Sequence, residues 1–243
     1  MATVDELAAL VQGSMQNPAE RGPGICPICR GLPSPGYVTD VGCGSNPEHL
    51  DAVVPISYAP GLGQLHTALR GYKDNRLSVV RRQQHVRLAA VLWKFLLNHE
   101  ECVADAAGAR AFDLVAVVPS KTPEQDERRD RLRALAGETC GHTSSRYRRV
   151  LRATGQGAEG RYFDPRRYAA TETLDCRHVL LIDDMWTSGA SGQSAAHALK
   201  EGGARTVGLV AIGRFIRRDY ADHGARLDAL PQVFDWATCA VHR

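Results

Sequence analysis

The chain has 243 residues, 44% of them hydrophobic, and a formal net charge of +3. That length suits one domain with a small accessory module, and so mild a charge does not by itself mark a nucleic-acid protein. No apolar run approaches the roughly 20 residues a membrane helix needs; the best stretch, Leu88 to Leu97, is broken by Lys94. Seven cysteines, mostly scattered singly, read as a reduced, cytoplasmic chain. Asp5 and Glu6 stand where a signal peptide would carry basic residues.

Thr3 to Val11 has the pattern of a short helix, with Thr3 and Glu6 as a capping box. Gly22 to Leu50 is rich in Gly, Pro and Cys and contains Cys26-Pro-Ile-Cys29 and then Cys43. A Cys-x-x-Cys knuckle puts two thiolates on one tight turn, half of a tetrahedral zinc site. Asn46 stands where a matching cysteine would be, and His49 is the natural substitute, giving a Cys26, Cys29, Cys43, His49 ligand set. Such a site would be structural. A redox dithiol and a decayed site whose cysteines are simply buried stay open beside it.

Asp51 to Ser57 reads as a strand, at an edge because Pro55 cannot donate to a ladder. A turn through Tyr58 follows, then a helix from Gln64 to Tyr72 with Arg70 and Lys73 at its end. Ser78 to Asn98 is the longest helical pattern, with Ser78 as its cap and His85 on its surface. Phe112 to Val118 is a buried strand that ends in Pro119-Ser120-Lys121-Thr122-Pro123, ahead of a charged helix from Glu124 to Ala136. Arg146 to Thr171 is basic, Gly-containing and poorly periodic. Arg205 to Ile212 is a further core strand that completes a parallel βαβ unit, and Arg214, Arg217 and Arg218 project from the segment after it. The tail with Phe234, Trp236 and Cys239 packs back on the domain.

The most informative stretch runs from His178 to Ser191. An apolar strand, Val179 to Ile182, delivers two adjacent carboxylates, Asp183 and Asp184. A loop of hydroxyl and small residues follows, Thr187-Ser188-Gly189-Ala190-Ser191, and an Ala-rich helix opens directly after it. Free N–H groups and the positive end of a helix dipole converge on such a loop, which suits a phosphate. The acids repel phosphate but can accept hydrogen bonds from ribose hydroxyls or help hold a metal ion. A buried strand that happens to end in Asp-Asp and an N-capping Ser is the plain alternative.

Four apolar residues, two acids, two spacers (Met185 and Trp186) and a Thr-Ser-Gly turn resemble the signature by which type I phosphoribosyltransferases bind 5-phosphoribosyl-1-pyrophosphate (PRPP). With the cysteine knuckle and the positions Tyr58, Leu69 and Lys73, the chain is similar to the ComF-like family, in which a zinc-ribbon-like N-terminus precedes a phosphoribosyltransferase domain. The resemblance implies an α/β fold, a parallel sheet flanked by helices, with residues 1–50 as the cysteine-rich module and 51–243 as the phosphoribosyltransferase-like domain, its hood at 51–75. It implies an Mg²⁺-dependent glycosyltransferase that moves the phosphoribosyl group of PRPP to a small-molecule acceptor, with Asp183 and Asp184 as the catalytic pair. Asp183, Asp184, Met185, Trp186, Thr187, Ser188, Gly189, Ala190 and Ser191 would bind PRPP, Ser120 and Lys121 would take its pyrophosphate, and Arg149, Arg152 and Arg161 would sit in a closing lid. Where ComF-like chains carry an Arg-Gly-Phe-Asn-Gln type stretch, this one has Arg128-Arg-Asp-Arg-Leu-Arg. A PRPP-sensing regulator without catalysis and a DNA-uptake factor are the alternatives. The 6% aromatic content offers no stacking platform and disfavours nucleic acid as partner. A homodimer is compatible with all three readings.

Overall fold

The computed structural model describes residues 2–120, 122–128, 131–157 and 161–242. Its centre is a four-stranded parallel sheet of β1 (Ala52–Pro60), β2 (Leu114–Val117), β5 (His178–Trp186) and β6 (Thr206–Ile216), in the order β1-β6-β5-β2. A small antiparallel pair, β3 (Leu151–Ala153) and β4 (Tyr168–Ala170), lies apart from it.

Parallel strands covered on both faces are apolar on both faces, and here successive residues divide between two layers. Leu180, Ile182, Val210 and Ile212 join one apolar cluster, and Val179, Leu181, Leu209 and Ala211 join the other. The first cluster is completed by α1 (Val4–Gln12), α3 (Gln64–Asp74) and α4 (Ser78–Ala106). The second is completed by α8 (Ala190–Glu201) and by Cys26, Cys29 and Cys43 of the N-terminal segment. The expected helix-flanked parallel α/β sheet is therefore present, with a cysteine cluster from the N-terminal segment packed on one face. Among the described residues no helix is long and apolar enough to cross a membrane.

Several local expectations hold. Thr3 and Glu6 form the reciprocal capping box of α1. β1 is an edge strand and carries Pro55 opposite Ala211. Other elements differ for identifiable reasons. β1 continues through the expected turn at Tyr58, because the ring is wholly buried and its hydroxyl is satisfied at both ends. Tyr58 Oη donates to the carbonyl of Arg30 at 2.5 Å and accepts from the N–H of Ala19 at 3.0 Å. Ser78 is not the cap of α4: Leu77 takes the N-cap position, and the side chain of Asn75 accepts the Leu77 N–H at 2.9 Å. The helix expected at 124–136 is broken into α5 (Pro123–Arg128), α6 (Arg131–Ala134) and a wide π turn, Leu135–Thr139. Gly137 lies in that turn against Tyr147, where a Cβ would come within 2.4 Å of the ring. His85 is half-buried, with its Nε2 2.8 Å from the Thr139 hydroxyl, instead of lying on an open surface.

Candidate functional site

The end of β5 carries both acids. Asp184 follows Leu180 and Ile182 towards α3, where Tyr72 Oη donates to its Oδ2 at 2.9 Å and Lys73 Nζ pairs with the same oxygen. The carboxylate is 6% exposed, so its charge is neutralised by a partner from a different element, as burial demands. Asp183 keeps partial access to solvent, and its Oδ1 accepts the N–H of Asp184 at 2.9 Å. Desolvation and the neighbouring Asp184 charge push the Asp183 carboxyl well above the usual carboxylate range, against a smaller opposing pull from Lys73. Burial acts to lower the Lys73 ammonium, but the charges of Asp184 and Asp183 outweigh it and leave it raised. Burial, and then Asp184, push the Tyr72 hydroxyl well up.

Beyond Trp186 the chain turns into α8. Gly189 is the N-cap, with φ 79°, the left-handed region that favours glycine, and a Cβ there would also meet the Trp186 ring at 2.4 Å. Gly189 supplies no side-chain cap, so the first-turn N–H groups of α8, at Ala190, Ser191 and Gly192, are left without helical partners, and that of Ala190 makes a long 3.5 Å contact to the Ser188 hydroxyl. Trp186 is 2% exposed and lies beneath both Gly189 and Gly192, holding the loop up from below. Residues 183–192 form one wall of a cleft of about 540 Å³, with Arg70, Lys73 and Asp74 of α3 and Ser120 among its other lining groups.

The expected pyrophosphate contacts are less uniform. Ser120 reaches this cleft, but its N–H donates to Asp126 Oδ1 at 3.1 Å instead of being free for a ligand. Asp126 is buried and paired with Arg133 at 2.5 Å, and Arg149 approaches it at 3.6 Å. Lys121 lies outside the described residues. Of the lid candidates, Arg149 is therefore near the Ser120 loop, and Arg152 is exposed on β3. Arg161 lines a second cleft of about 400 Å³ on the far side of Thr187 and Ser188.

Three residues not expected in the site, Arg214, Asn46 and Gly42, shape the loop from that far side. Arg214, expected to project from a segment beyond the sheet, is on β6 and 2% exposed. It donates to the carbonyls of Trp186 at 3.3 Å, Thr187 at 3.2 Å and Phe215 at 2.6 Å, and pairs with Asp40 at 2.9 Å. Burial opposes its charge, but Cys29 and Asp40 outweigh that and raise its pKa. An arginine within the otherwise apolar run Gly208 to Phe215 was the available signal. Asn46 occupies the missing-cysteine position because its amide has other work. It donates to the carbonyls of Gly42 at 2.6 Å and Ser188 at 2.9 Å, and accepts from the N–H of Phe163 at 2.6 Å. Gly42, in the short helix α2 (Val41–Ser45), touches Ser188 so closely that a Cβ would lie 2.3 Å from the Ser188 carbonyl oxygen.

The knuckle itself forms as expected. The thiols of Cys26, Cys29 and Cys43 are buried and lie within 4.8 Å of one another. Hydrogen bonds from Cys29 and Cys43 lower the Cys26 thiol against its burial. Three convergent thiols of this kind fit a soft ion such as zinc. His49 does not join them: its ring stacks on Phe163, with centroids 4.9 Å apart, and meets His197 at 4.8 Å. The cause is the chain beyond Asn46, where Gln193 Oε1 accepts the His49 N–H at 2.7 Å and draws the segment onto α8. In comparisons with known proteins, no family model matches this chain and no curated protein matches it.

Proposed function

We propose that the chain is a phosphoribosyltransferase, which moves the 5-phosphoribosyl group of PRPP to a small acceptor and releases pyrophosphate. The observation that supports this most is the arrangement along residues 183–192: twin acids, then a glycine-capped helix start whose first-turn N–H groups have no helical partners, all lining one cleft. In this reading the α8 amides and the hydroxyls of Thr187, Ser188 and Ser191 bind the 5′-phosphate. Asp183 accepts from the ribose hydroxyls, while Asp184 is held by Lys73 and Tyr72 and fixes the wall behind it. Anchoring the remote phosphate orients the anomeric carbon for attack. The bond from that carbon to the pyrophosphate oxygen breaks, the acceptor's bond to the carbon forms, and the acceptor's proton passes to the departing pyrophosphate or to water.

The open carboxylate of Asp183 suits a hard divalent cation, and Mg²⁺ bound there with the substrate would supply charge neutralisation for the leaving pyrophosphate. Arg70 and Asp74 of α3 also line this cleft and, in this reading, would meet an incoming acceptor.

Calorimetric titration of the purified protein with PRPP and Mg²⁺ tests the site, and pyrophosphate release in an acceptor screen tests the activity. Asp183→Asn is expected to weaken PRPP binding at least about tenfold, the loss of one charge-assisted hydrogen bond. No binding by the wild type sinks the reading. Tight binding without turnover for any acceptor moves it to a PRPP-sensing regulator, which the engagement of Asp184 by Lys73 also suits.

A further inference from the structure

A second cluster of metal-ligating side chains lies on the opposite layer of the sheet from the knuckle. His99 and Cys102 are three residues apart on α4 and so share one face. Cys239 and His242 are three residues apart on a turn of the tail, closed by the His242 N–H donating to the Cys239 carbonyl at 3.2 Å. The Sγ of Cys102 and Nδ1 of His99 are 3.8 Å apart, and the Sγ of Cys239 and Nδ1 of His242 are 3.7 Å apart. The ligand atoms of His99, Cys102 and Cys239 all lie within 4.8 Å of one another.

The separations among His99, Cys102 and Cys239 are close to those of a tetrahedral ion. With metal–sulfur bonds of about 2.3 Å and metal–nitrogen bonds of about 2.0 Å, the sulfur–nitrogen edge is roughly 3.5 Å. The tautomer of His99 is also set. Its Nε2 lies 2.8 Å from the carbonyl of Trp236, which can only accept, so Nε2 carries the proton and Nδ1 offers its lone pair to the cluster. A backbone carbonyl behind the remote ring nitrogen is the usual support of a ligating histidine.

We propose that His99, Cys102, Cys239 and His242 form a second, structural metal site of zinc type that pins the C-terminal tail to α4. His99 and Cys239 are buried, whereas His242 is exposed, 3.7 Å from Cys239 but outside the three-residue cluster, so it would complete the site by turning in from the solvent side. Burial of the Cys239 thiol at 2% exposure leaves no approach for a substrate, which sets aside a nucleophilic cysteine. The tail is aligned for this role by independent contacts. Gln12 donates to the carbonyl of Phe234 at 2.9 Å, Asn17 and Asp235 exchange two hydrogen bonds, and Lys94 sits 5.0 Å over the Trp236 ring. Arg30, directly after Cys29 of the knuckle, donates to the carbonyl of Ala240, directly after Cys239, at 2.9 Å. The two metal sites are thereby joined by one side chain.

Metal content of the full-length protein, measured by elemental mass spectrometry after expression with zinc, tests this. The wild type is expected to carry two zinc ions per chain. Cys26→Ser/Cys29→Ser is expected to keep one, and Cys102→Ser/Cys239→Ser to keep the other. Should the latter variant fail to fold, Cys239→His keeps a ligand at the position and must retain both ions. Cobalt loading of Cys26→Ser/Cys29→Ser should give visible bands of a tetrahedral site with thiolate charge transfer, abolished by adding Cys102→Ser. A wild type with a single ion that vanishes in Cys26→Ser/Cys29→Ser overturns the proposal. So does a Cys102–Cys239 disulfide, seen as a loss of two hydrogens in the intact mass of the native protein.

Discussion

The loop from Thr187 to Gly189 separates two clefts, and its two sides are built on opposite rules. On the side of Asp183 and Lys73 the polar groups are left available: first-turn amides of α8 lack helical partners, two hydroxyls are accessible, and one carboxyl is partly open. On the side of the N-terminal segment the polar groups are consumed. The carbonyls of Trp186 and Thr187 go to Arg214, that of Ser188 goes to Asn46, and Gly42 presses its backbone against Ser188. A peptide unit whose carbonyl is fixed has its neighbouring N–H aimed as well, so the consumed side pre-organises the available one. The N-terminal segment is then part of the site, although its residues in this contact reach only the back of the loop.

The sharpest way to break this contrast is Arg214→Met. It removes a buried cation from Asp40 and strands three carbonyls, and is expected to cost about 3–5 kcal/mol in denaturant unfolding, with PRPP binding lost alongside. An effect below about 1 kcal/mol would mean that the loop is held elsewhere. Gly42→Ala is gentler. Its added methyl must push either α2 or Ser188 away, for about 1–3 kcal/mol, and it should weaken PRPP binding from the back of the loop, by shifting Ser188 instead of removing a ligand group.

Asp183→Asn tests the available side, with the smallest expected effect on folding. Because the folded carboxyl titrates above its unfolded value of about 3.9, the wild type is favoured at low pH and loses that contribution as pH rises towards the folded pKa. In Mg²⁺-free buffer the melting temperatures of the two proteins should therefore be nearly equal near pH 4. The variant should gain on the wild type as pH rises, then hold a constant lead. A gap that instead grows on acidification would show that Asp183 is stabilised as a carboxylate and that desolvation is not what governs it.

Much of this arrangement was legible along the chain because it is local. The capping box Thr3–Glu6, Pro55 at an edge, and the order of strand, acid pair, glycine and helix at 178–191 each depend on residues a few positions apart. The knuckle Cys26–Cys29 belongs to the same class. What failed was long-range. His49 has the right spacing for the cysteines but is drawn to α8 by Gln193, far along the chain. Tyr58 reads as a turn residue until Ala19 and Arg30 are seen to satisfy its hydroxyl. Ser120 looks like a free amide donor until Asp126 takes it.

The sequence by itself determined the class of fold and the run of acids, glycine and helix start at the end of β5, since hydrophobic period, glycine backbone freedom and helix capping act over a few residues. Only the tertiary structure decided which polar groups were left over to work. A side chain's availability depends on what is buried against it, and that is set by distant segments: Lys73 on Asp184, Arg214 on the loop carbonyls, and Cys239 beside His99 and Cys102.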